Sequence, residues 1–142
     1  MSTLSAAITA SASALNVERA RIEVAVSNMA NADSTRSTDG QPYRRRDVML
    51  TADPVESFDS VLGKASATGV KVAGIVEDQA PFRKRYEPSH PDADAEGFVS
   101  LQNVDSSEEM VDMLGAARAY QANLAAIGMI KDMVAKALEL GR

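Results

Sequence analysis

Cysteine is absent from the 142 residues, which excludes a disulfide framework or a thiolate zinc site and leaves the chain indifferent to redox compartment. Tryptophan is also absent, and aromatics make up only 4%. Aromatic rings carry much of the burial in compact cores, so this chain must rely on Ala, Leu, Ile, Val and Met packed along extended helices. The single histidine, His90, cannot build a multi-histidine zinc or iron site. Basic charge is in deficit: 15 Lys and Arg stand against 20 Asp and Glu, a net charge of −5. Phosphate binding needs a basic stripe, and the basic cluster Arg44-Arg45-Arg46 is too short to supply it. Long apolar runs are missing too. The longest, residues 124–130, falls far short of the ~18 residues of a membrane span. Residues 1–16 hold no Lys or Arg to begin a secretory leader, so the expectation is a chain with neither a membrane span nor a cleavable address.

Two helical patterns occupy the ends. In residues 4–32, Ile8, Leu15, Ile22 and Met29 fall on a strict seven-residue repeat, with Leu4 as a further anchor and Ala12 and Val26 between them, while Arg19 interrupts the seam. Its first half is mostly Ser, Thr and Ala, several of them mediocre helix formers, so this helix should need a partner for its order. The second pattern starts near residues 105–109, where Ser106 and Glu109 have the spacing of a capping box and the acids suit the positive end of a helix. Its seam runs through Met110, Met113, Ala117, Tyr120, Leu124, Ile127, Val134 and Leu138. Lys131, Lys136 and Arg142 lie toward the far end, with Gly141 as a stop signal.

All five prolines lie between residues 33 and 102, among β-favouring pieces at 43–51, 70–77 and 98–101; residues 53–63 read as a helical turn or irregular structure. The expected fold is mostly α with a small β insertion. It is an antiparallel, coiled-coil-like pair of long N- and C-terminal helices around a small strand-and-loop middle, divided as 1–34, 35–102 and 103–142. Ala-rich flanks on both helices remain for close contacts with further helices, a composition suited to lateral assembly.

No segment carries a clear catalytic signature. Residues 90–97 (HPDADAEG) offer metal-ligand types but lack the glycine and distal glutamate of a calcium loop, so a proline-fixed turn with solvated acids is the better reading. No Gly-x-Ser-x-Gly elbow or phosphate-binding glycine loop is present, and Glu108-Glu109 are explained as helix-start charges. In a strand, Arg45 would point away from Arg44 and Arg46, giving a charged, solvated edge or a contact with an acidic neighbour. The methionines at 110, 113, 129 and 133 read equally as core filling or as an adaptable groove.

Specific residues then point to a family. Ser27-Asn28-Met29-Ala30-Asn31-Ala32 followed by Thr35 resembles the signature that ends the first helix of bacterial flagellar rod and hook proteins. Gly40-Gln41-Pro42-Tyr43-Arg44-Arg45 resembles the motif that follows it in proximal-rod members. The stretch YEPSHPDADAEGFV, with His90, Pro91 and Gly97, then Asn103-Val104, EEMVDM and RAYQAN, continues the match over nearly the whole chain. Gln102 departs from the pattern, since a proline often precedes Asn103-Val104, and Glu87 stands where Asp is commoner.

The resemblance implies a structural subunit of the flagellar basal body, exported without a cleaved signal peptide into the periplasmic rod. Such a subunit assembles helically into a hollow shaft that transmits torque and passes exported protein. Its implied partners are copies of itself, other rod subunits, the inner-membrane ring and the export gate; no nucleic acid, small-molecule substrate, cofactor or catalysis is implied. A soluble coiled-coil adaptor or secretion chaperone is the alternative from the helical pattern alone.

Overall fold

The computed structural model describes residues 2–35, 41–54 and 68–140. Gly40, most of the 53–63 piece, and Gly141 with Arg142 therefore lie outside the described residues. Helix α1 (Ser2–Ala30) opens the fold. Four strands follow among the described residues: β1 (Arg46–Pro54), β2 (Thr68–Glu77), β3 (Arg83–Tyr86) and β4 (Phe98–Leu101). Helix α2 (Ser106–Leu140) closes it. The strands make two separate antiparallel pairs, β1 with β2 and β3 with β4. The architecture is thus two terminal helices with small strand pairs between them.

Local chemistry sets the helix ends. The Asn31 side chain donates to the Ser27 carbonyl at 2.7 Å, and Ser34 Oγ donates to the Asn31 carbonyl at 3.0 Å, so side chains satisfy carbonyls where α1 stops. At the start of α2 the cap is Asp105, not Ser106. Asp105 Oδ1 accepts the Ser107 amide at 2.8 Å, and the Asp105 carbonyl accepts the Glu109 amide at 3.0 Å. The cap therefore stands one residue ahead of the expected Ser106–Glu109 box, with Asp105 as the acceptor and the Glu109 side chain taken up by Asn28 and Arg45.

At 29 and 35 residues, the helices are about 44 and 52 Å long at 1.5 Å per residue. They pack along each other, and the last turns of α1 meet the first turns of α2 through Asn28 and Glu109, which makes them antiparallel. Along the covered side of α2, Glu109, Met113, Ala116, Tyr120, Asn123, Ile127, Ile130 and Val134 form a line with steps that alternate between four and three, flanked by half-covered Ala117, Ala119 and Ala126. Of the expected seam, Met113, Tyr120, Ile127 and Val134 fall on this line; Leu124 and Leu138 do not.

The deepest burial in α1 follows Val17, Val24, Ala25 and Asn28, rather than the Ile8, Leu15, Ile22 and Met29 repeat, which is half-covered together with Leu4. The reason is a third layer. A single helix covers part of a neighbour's side chain, whereas Val24 and Ala25 line a crevice shared with Arg45 and Val48 of the β1 segment and with Glu109 of α2. Arg19, the interruption in the repeat, lies exposed and pairs with Glu23 at 2.8 Å.

The β1–β2 hairpin leans on α1 through β2: the Val70 amide donates to Ser13 Oγ at 3.0 Å. Its register shifts between Met49 and Leu50, leaving Ala73 unpaired as a bulge. Strand β3 has no counterpart in the sequence expectation, whereas β4 coincides with the expected piece at 98–101.

Candidate functional site

Three elements converge where α1 ends, β1 begins and α2 starts. Asn28 is fully buried there and uses every hydrogen-bonding position of its amide. Its Oδ1 accepts the Tyr43 hydroxyl at 2.9 Å and the Arg46 amide at 3.0 Å. Its Nδ2 donates to the Arg46 carbonyl and to Glu109 Oε2, both at 2.8 Å. Glu109, also buried, receives Arg45 Nε on its other oxygen at 2.5 Å. Arg45 reaches Asp112 at 3.2 Å as well.

Burial pulls the Arg45 pKa down. The hydrogen bond and charge of Glu109, with the charges of Asp47 and Asp112, more than reverse this, and the guanidinium sits above its ordinary value. Glu109 therefore does more than complement a helix start: it is a buried ion-pair partner, while its neighbour Glu108 stays exposed. The three arginines take different partners, although only Arg46 lies within β1. Arg44 donates to the carbonyls of Asp78 and Ala80 and lies 4.4 Å over the Phe82 ring, and Arg46 lies over Tyr43.

The motif residues cluster around this junction and a second loop. Tyr43, Ala32 and Val104 form a small buried apolar cluster, and Asn103 Oδ1 accepts the Arg45 amide at 2.9 Å. Thr35 Oγ1 donates to Asp92 Oδ2 at 2.9 Å, which ties the end of the α1 signature to the 90–97 turn. Within that turn Asp94 Oδ1 accepts the amides of Glu96 and Phe98, and the Asp92 amide donates to His90 Nδ1. Gly97 takes φ +83°, where an added Cβ would lie 2.9 Å from Tyr86 Cε2 and 3.2 Å from Pro88 Cβ. Pro42, His90 and Asn31 are half-buried, and Ala30 and Pro91 are exposed. Among the described residues no group of three or more His, Asp or Glu is arranged to hold a metal ion. Gln102, the departure from the family pattern, is fully buried; its Nε2 donates to Ser34 Oγ at 3.1 Å, and its Oε1 finds no hydrogen-bond partner among the described residues.

Away from the junction the helices present uncovered apolar surface. On α2, Leu124 is 55% exposed, Met129 62%, Met133 53% and Leu138 66%, and Val26 on α1 is 48% exposed. Ala117 is half-covered. Leu124 and Leu138, expected in the pairing seam, thus keep most of their surface outside the intrachain contact, and Val26 keeps about half. With Met110, Val111, Leu114 and Leu140 also exposed, α2 carries large apolar side chains on several sides, interspersed with the exposed charges of Asp112, Arg118, Lys131, Asp132, Lys136 and Glu139, so it holds more apolar surface than the intrachain contact covers. Among the described residues no helix is long and apolar enough to cross a membrane.

Residues 95–140 match the family model described as "Flagellar basal body rod FlgEFG protein C-terminal". Over nearly its full length the chain is similar to flagellar basal-body rod protein FlgC from several bacteria. It is 46% identical to that of Bacillus subtilis over 142 residues, covering 93% of this chain and 94% of the relative. With the Salmonella typhimurium protein it shares 45% over 130 residues, 92% of each chain, and with that of Borreliella burgdorferi 36% over 147 residues, 96% and 97%.

Proposed function

Because the chain belongs to the FlgC family of flagellar basal-body rod proteins, we propose that its two terminal helices form the axial core through which it joins its neighbours. It is a structural subunit of the flagellar basal-body rod, and it assembles with other rod subunits. The finer reading is a helical, hollow shaft in the periplasm, built from copies of this chain and other rod proteins and seated on the inner-membrane ring and export gate. The chain reaches it by export. In this role the chain transmits torque and leaves a channel for exported protein; it performs no catalytic step.

The uncovered apolar surface of α2 carries this reading. A helix with Leu124, Met129, Met133 and Leu138 all more than half exposed has a large part of its burial still to come, and many staggered helix contacts suit a torque-bearing shaft. The four-three spacing of the covered line supports a coiled-coil-like contact, with segments 1–34 and 103–142 as axial helices and 35–102 as an insertion. Leu4, Ile8, Leu15, Ile22, Val26 and Met29 on α1, and Met113, Ala117, Tyr120, Leu124, Ile127, Val134 and Leu138 on α2, are the proposed pairing residues within and between subunits.

Leu124→Asp tests this. The side chain is exposed in the single chain, so the folded monomer should keep its helix content while basal-body incorporation and motility are lost. Normal rods and swimming with this change would overturn the proposal.

A further inference from the structure

We propose that Glu109 is a positioning residue that locks the β1–β2 hairpin to the helix pair through the polarity of its hydrogen bonds, with Asn28 as its obligate partner. Asn28 serves Arg46 as a neighbouring strand would, taking its amide on Oδ1 and its carbonyl on Nδ2. That double bond fixes which way the Asn28 amide points, so Nδ2 must face Glu109. On the other side of Glu109 stands Arg45 Nε, also a donor. The buried carboxylate therefore meets donors on both oxygens, and these come from two different elements.

No amide satisfies that arrangement. Glutamine at 109 would turn a donor toward either Asn28 Nδ2 or Arg45 Nε. Rotating Asn28 to compensate would set its donor against the Arg46 amide and its oxygen against the Arg46 carbonyl. Each alternative leaves like groups facing in a buried place, where an unmet polar group is costly. Glu109 thereby sets the pose of a hairpin whose Met49, Leu50 and Ile75 are about half exposed. The consequence for assembly rests on the rod reading; the lock itself does not.

Native-state amide exchange on the full purified chain tests the lock, read at the Arg46 amide, which donates to Asn28, and at the Asp78 amide, which donates to the Arg45 carbonyl. Glu109→Gln should lower protection at both by at least about tenfold while both helices persist. Asp112→Asn, which removes a charge beside Arg45 without touching the polarity, should change it by less than about twofold. Unchanged protection in Glu109→Gln, or equal loosening in Asp112→Asn, would overturn the inference.

Should Glu109→Gln fail to fold, Asn28→Asp reads the same contact. It sets a carboxylate against Glu109 amid Arg45, Asp47, Asp112 and Tyr43. The facing carboxylates must share a proton, so protection at Arg46 should rise as pH falls, and a flat profile would overturn the inference. These results are independent of rod incorporation. Failure of the wild-type chain to enter rods would overturn the rod reading and leave the lock standing.

Discussion

Ser13 Oγ accepts the Val70 amide at 3.0 Å while donating to the Ala10 carbonyl at 2.7 Å, so one hydroxyl of α1 closes the outer edge of β2. The contact requires Gly69: a Cβ there would lie 2.8 Å from Ser13 Oγ and 3.3 Å from the Asp53 carbonyl oxygen. Gly69→Ala should therefore destabilise the chain by about 1–3 kcal/mol in chemical denaturation, and Ser13→Ala by about 1 kcal/mol. Gly74 has open space around it, and Gly74→Ala should change stability by less than about 0.5 kcal/mol. Equal effects at the two glycines would contradict the contact.

Gly97 makes a separate prediction for the β3–β4 loop. Its φ of +83° and the nearby Tyr86 ring mean that Gly97→Ala combines backbone strain with a clash. The expected cost is about 1–2 kcal/mol from the backbone alone. The edge-to-face contact of Tyr86 with Phe98, now 5.3 Å between ring centres, should loosen, with shifted ring resonances. Unaltered resonances would count against it.

The α2 cap predicts a pH dependence. The amides of Ser107 and then Glu108 hold the Asp105 carboxyl below its ordinary pKa of 3.8. A carboxyl depressed by folding stabilises at pH values above its unfolded pKa, and that contribution disappears as pH falls through the folded value. The first turn of α2 should therefore fray on acidification below about pH 4. Asp105→Asn should keep the cap and lose that pH dependence, and Asp105→Ala should fray at every pH, as followed by amide exchange at Ser107.

Arg45 and Glu109 predict a large effect from a single truncation. Arg45→Ala strands a carboxylate whose side chain is only 2% exposed, and the expected loss is about 3 kcal/mol or more. Arg45→Lys retains the charge but not the fork that spans Glu109 and Asp112, so it should recover only part of the loss. Added salt should weaken the wild-type pair little, because a buried pair is poorly screened. Denaturation at low and high ionic strength checks all three statements.

The long elements were legible because they repeat. The extent of α2 and the position of β4 follow from periodicity and β-favouring residues that local structure obeys. The cap moved from Ser106 to Asp105 because two good acceptors stand side by side and only geometry chooses between them. β3 was invisible: Arg83-Lys84-Arg85 shows no apolar alternation, and its strand character comes from pairing with residues 98–101. Glu109 looked like a helix-start charge since nothing in the linear chain places it beside Asn28, 81 positions away. The seven-residue repeat marks half-covered positions of α1, while the deepest ones depend on a hairpin that periodicity within one helix cannot reveal.

If the exposed faces of α2 are rod interfaces, a residue-resolved structure of assembled basal bodies containing this chain will show Leu124, Met129, Met133 and Leu138 buried against helices of neighbouring subunits. Those four side chains open to solvent in the rod would contradict it.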